Sequence, residues 1–80
     1  MIKSQTIILR ILHLEDDEND ALILRRYLLN LYPNVQLHWV ANKDDFMSAL
    51  NAQKFDIVLA DYNVPEFPSY LLQELLKENY

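Results

Sequence analysis

From Phe55 the chain reads Phe55-Asp56-Ile57-Val58-Leu59-Ala60-Asp61-Tyr62-Asn63-Val64-Pro65, an apolar run that stops on a carboxylate and is closed by a proline. Apolar residues without alternation are what a strand shows when helices cover both faces of its sheet. Pro65 has no amide hydrogen for a ladder, so the strand ends before it. In open parallel sheets, ligands bind just outside the carboxyl ends of the strands, which makes Asp61 a candidate functional residue by position alone. A second run ends in the same way: Ile7 to Leu14 leads directly into Glu15-Asp16-Asp17. If the two strands are parallel neighbours, their acids converge.

The rest of the chain supplies the connections that parallel neighbours need. After the first strand, residues 7 to 14, Asp17 or Asn19 can cap a helix in which Ala21, Leu24, Leu28 and Leu31 fall at helical spacing. Arg25 and Arg26 lie on its wetter side, and Pro33 ends it. Val35, Leu37 and Trp39 alternate with Gln36 and His38, the pattern of an edge strand with one polar face. Asn42 followed by Asp45 resembles a capping pair, and Phe46, Ala49 and Leu50 form a short stripe, so the spacing predicts a helix over 43–52. Beyond the organising strand, Ser69 can cap a helix whose Leu71, Leu72, Leu75 and Leu76 share a face, with Glu74 and Lys77 outside. The order βαβαβα implies a parallel α/β sheet with right-handed crossovers.

Composition narrows the functions. Eighty residues make one small domain, in which 51% apolar content is required for a core. A net charge of -5 argues against nucleic-acid or anionic-membrane surfaces. Cysteine is absent, which removes disulfides, thiolate metal sites and cysteine nucleophiles and suits a reducing, cytoplasmic setting. Arg10 interrupts the first apolar run and no small-residue cleavage site follows, so no signal peptide is expected, and no segment approaches membrane-spanning length. Glycine is absent too, which rules out glycine-dependent phosphate loops.

Carboxylates from Glu15, Asp16 and Asp61 gathered together repel one another unless a cation sits among them. An all-oxygen set favours Mg2+, or Mn2+, over zinc. A carboxylate beside such an ion is also a reasonable phosphoryl acceptor, because the chemistry is largely positioning and electrostatics. A solvated helix N-terminus would also attract Asp and Glu, but it does not account for Asp61 at a second strand end. An EF-hand reading of Asp16-x-Glu18-x-Asp20 fails because Ala21 and Tyr27 stand where glycine and glutamate are required. His13 and His38 have no second ligand at metal spacing and read as structural or surface residues. Trp39 and the tyrosines read as core and rim.

Ile11-Leu12-His13-Leu14-Glu15-Asp16-Asp17, and roughly forty-five residues later Asp61-x-Asn63-x-Pro65, resembles the receiver domains of response regulators, and the match covers the whole chain. The resemblance implies a flavodoxin-like fold with sheet order 2-1-3-4-5, present here as its N-terminal three βα units in the order 2-1-3. It implies that Asp61 is the phosphoacceptor, that Asp16 and Asp61 are direct Mg2+ ligands, that Glu15 acts chiefly through a metal-bound water, and that Asn63 offers its backbone carbonyl. The donor would be a histidine kinase or phosphotransfer protein, in two-component signalling. Such a domain is not an enzyme with a turned-over substrate, although it assists its own phosphorylation.

The chain departs from the family in two respects. Residues 1–80 stop before strands four and five, which carry the family's hydroxyl residue and lysine, and Lys77 belongs to a helix. After Pro65 the chain reads Glu66-Phe67-Pro68-Ser69, where the family usually places a glycine. A non-catalytic dimerisation or docking module is therefore an alternative. A dehalogenase-like phosphotransferase is weaker, because Asn63 stands where its second aspartate belongs. With the third strand at a sheet edge, a homo-oligomer joined through that edge is expected.

Overall fold

The computed structural model describes residues 8–61, 71, 73, 74, 76 and 77. Three parallel strands, β1 (Arg10–Leu14), β2 (Gln36–Val40) and β3 (Ile57–Ala60), form one sheet in the order β2-β1-β3. Helix α1 (Glu18–Leu31) joins β1 to β2, and α2 (Lys43–Ala52) joins β2 to β3. Residues 71, 73, 74, 76 and 77 are helical. This is an α/β fold with the strand order of the first three strands of a flavodoxin-like sheet.

Local chemistry fixes the helix ends. Asp17 caps α1 by accepting the Asp20 N–H at 3.2 Å, while Asn19 lies inside the helix. The last α1 residue is Leu31, and the Tyr32 N–H closes the turn on the Leu28 carbonyl. Asn42 caps α2: its Oδ1 accepts the Asp45 N–H at 2.9 Å and its Nδ2 donates to Asp45 Oδ2 at 3.1 Å. Ser69, Asn63, Leu72 and Leu75 lie outside the described residues.

The main apolar cluster lies on one face of the sheet. Leu12 and Leu14 of β1, Val40, Phe55, and Phe46 and Ala49 of α2 form a buried cluster against which Leu50, Val58, Ala60, Leu71 and Leu76 pack. Phe46 is fully buried, and a side chain of that size contributes about 1.5–3 kcal/mol by burial. Alternation along β1 puts Ile11 and His13 on the other face, and both are buried there. The chain travels one way across the sheet through α1 and the opposite way through α2, so right-handed crossovers place α1 on that second face.

Three expectations differ from the observed elements. The first strand begins at Arg10, because Leu9 and Arg10 already meet the leading ends of both partners: Gln36 N–H donates to the Leu9 carbonyl, and the Arg10 N–H is taken by the Asp56 carboxylate at 2.8 Å. In β2 Gln36 and His38 are exposed and Leu37 is half-buried, as alternation implies, but Trp39 is 38% exposed. Val40 is the buried residue, and His38, on its side, meets the Phe55 ring edge-on at 6.0 Å. β3 is only half-buried, and Ile57 is 40% exposed, because it is an outer strand rather than a central one.

Candidate metal centre

The strand register brings three chain segments out of the sheet at one level. Leu14 stands between Val40 and Ala60, so the next residues, Glu15, Ala41 and Asp61, leave the carboxyl edge together. Two backbone bonds continue the ladders past the last paired residues: Glu15 N–H to the Val40 carbonyl and Asp61 N–H to the Leu14 carbonyl, each at 3.0 Å. The acids therefore hang from a hydrogen-bonded frame.

Glu15, Asp16 and Asp61 each present a carboxylate oxygen, and these oxygens lie within 4.8 Å of one another. Glu15 and Asp61 are half-buried and Asp16 is exposed. Magnesium binds oxygens at about 2.0–2.1 Å in an octahedron, which asks for oxygen separations of about 3–4 Å. Small side-chain rotations would bring this set into that range, and its chemistry, three hard anionic oxygens with no nitrogen or sulfur, suits Mg2+ or Mn2+.

The electrostatics point the same way. The Glu15 carboxyl is pushed above its usual range, first by burial and then by the Asp61 charge, a hydrogen bond shared with Asp16 and the Asp20 charge, against a lowering by the Asp17 N–H that its Oε2 accepts at 3.2 Å. Like charge is thus a secondary cause of the raised Glu15 carboxyl, and a cation among the three carboxylates would offset it. His13 is pulled below the ordinary histidine range by burial, partly countered by Asp61, and its Nδ1 has no hydrogen-bond partner among the described residues.

Glu15, Asp16 and Asp61 thus come together, whereas Asn63 lies outside the described residues. Sequence reading missed Trp39, whose indole N–H donates to the Glu15 carbonyl at 2.7 Å. No spacing or composition signal marks a bond between residues 24 apart. A cavity of about 370 Å3 lined by Leu9, Leu31, Tyr32, Pro33, Asn34 and Val35 lies at the other end of the sheet and takes no part in this site. Among the described residues no helix is long and apolar enough to cross a membrane. Comparison with family models, curated proteins and solved structures finds no match to this chain.

Proposed function

We propose that the chain is a receiver-type phosphoacceptor in which Asp61 takes a phosphoryl group from a histidine kinase or phosphotransfer protein, in a cytoplasmic two-component relay. The observation that carries this reading is the convergence of Glu15 and Asp16, from the end of β1, with Asp61, from the end of β3, at the carboxyl edge of a 2-1-3 parallel sheet. The resemblance of the two sequence runs adds the roles.

On this reading Asp16 and Asp61 would hold a divalent cation directly and Glu15 chiefly through a metal-bound water, and the resemblance assigns the Asn63 carbonyl as a further ligand. Magnesium, when bound, supplies positive charge against the phosphoryl oxygens. An Asp61 carboxylate oxygen attacks phosphorus in line, the bond from phosphorus to the donor atom breaks, and the donor leaves with the electron pair. The product is an acyl phosphate on Asp61. The backbone bond to Leu14 holds that residue at the strand end while it reacts.

The test is incubation of the 80-residue chain with a small-molecule phosphodonor and Mg2+, read by intact mass. One added phosphoryl group is expected, absent without Mg2+ and absent in Asp61→Asn. Labelling should be slow, because the resemblance assigns the partnering hydroxyl and lysine to strands that this sequence does not reach. Label retained in Asp61→Asn overturns the assignment. Mg2+ binding without any label would instead favour a docking module derived from a receiver.

A further inference from the structure

Glu15 is gripped on both sides by consecutive residues of β2. Its N–H donates to the Val40 carbonyl at 3.0 Å, and its carbonyl accepts the Trp39 Nε1–H at 2.7 Å. The first bond fixes the peptide joining Leu14 to Glu15, and the second fixes the peptide joining Glu15 to Asp16. With both peptide planes held, the directions in which the Glu15 and Asp16 side chains depart are set by β2 and not by the acids themselves. Trp39 has a single side-chain donor. Its ring is 38% exposed, where water could satisfy that donor, yet the N–H is committed to the acidic loop at the short end of the N–H···O range. Its cross-strand neighbour on β1 is the buried His13.

We propose that Trp39 is a positioning residue for the acidic centre: its indole bond to the Glu15 carbonyl sets the separation of the Glu15 and Asp16 carboxylates from Asp61. The inference rests on the reading of these acids as a cation centre. It adds that the centre is built by all three strands, with β2 contributing a brace in place of a ligand. It also makes the indole a reporter, because a cation that draws the carboxylates together pulls on the peptide the indole holds. Trp39 is the only tryptophan in the sequence, so its signal is unambiguous.

The test has two arms on the 80-residue chain. In the wild type, the Trp39 indole N–H resonance is followed by NMR as Mg2+ is added. It should be protected from solvent exchange and should shift with the same midpoint as the Glu15 and Asp61 amides. In Trp39→Phe, which removes the donor and keeps an aromatic ring, Mn2+ affinity measured by electron paramagnetic resonance should fall about 10-fold, the low end of the loss when a partner supporting a metal ligand is removed, with the circular dichroism spectrum unchanged. Unaltered Mn2+ affinity in folded Trp39→Phe, or an indole resonance indifferent to saturating Mg2+, overturns the positioning role and leaves the cation centre standing. Absence of Mn2+ binding by the wild type overturns both. If Trp39→Phe does not fold, the wild-type indole titration decides alone.

Discussion

The Glu15 carboxyl reports on the charge of Asp61. Desolvation is the largest cause of the raised Glu15 carboxyl and the Asp61 charge is a further one, so Asp61→Asn should lower the Glu15 titration midpoint without returning it to the ordinary value. Carbon-detected NMR of the side-chain carboxyl would show this, and an unmoved midpoint would mean that the two carboxylates do not meet. If Mg2+ binds the folded state at this centre, millimolar Mg2+ should raise the melting temperature, and the same substitution should reduce that rise. An undiminished rise would place the ion elsewhere. His13 contributes to the acid dependence of stability. Its folded pKa is depressed, so between that value and the ordinary one near about 6.5 the unfolded chain binds more protons. Its stabilising contribution is complete above the ordinary value and is lost as pH falls through it. His13→Leu removes a buried nitrogen that has no partner among the described residues, so it should leave stability at neutral pH unchanged or higher by about 1 kcal/mol and flatten the loss on acidification. Urea titrations at neutral pH and about one to two units lower would check this. A steeper acid loss in the variant would contradict the assignment.

At the level of elements, legibility followed how local the determining interaction is. Helix α2 was readable to its ends because Asn42 and Asp45 bond each other across one turn and Phe46 and Ala49 follow at once. Asn42→Ala removes a bond to the Asp45 N–H and should cost about 1 kcal/mol, which in a domain of this size lowers the melting temperature by about 4–8 °C. A shift within measurement error would mean that core packing of Phe46 alone holds the helix. The start of β1 and the degree of burial along β2 were not readable, because both depend on distant partners. Asp56 decides where the β1 ladder begins, and Phe55 gives His38 a ring to lie against. Trp39 suits a buried face by its size and an exposed one by its N–H, so alternation alone did not fix how far it is exposed. The acid convergence was legible for the opposite reason: strand order and the carboxyl-end rule determine it before any side-chain detail.

For the whole molecule, the order 2-1-3 leaves β3 as an outer strand, and its sequence belongs to a central one. Ile57, Val58, Leu59 and Ala60 contain no charge, proline or glycine, and Ile57 is 40% exposed while its three successors are half-buried. Natural edges are protected by charge, proline, bulges or a covering segment. Among the described residues nothing pairs with the outer side of β3. The opposite face adds to the pressure: on α1 the residues Ile23, Tyr27 and Leu31 recur at a spacing of one helical turn and all are exposed. A chain of this size with that much apolar surface in water should associate, and an unpaired apolar edge directs the association toward strand pairing between copies. The 80-residue chain is therefore expected to be a dimer or larger by light scattering behind size exclusion at micromolar concentration. Ile57→Lys places on that edge the kind of charge that natural edges use, and should shift the population toward monomer while leaving Glu15, Asp16 and Asp61 able to bind Mg2+. A folded wild-type monomer across that concentration range would sink edge pairing, and an Ile57→Lys chain that stays dimeric would move the interface to the exposed face of α1.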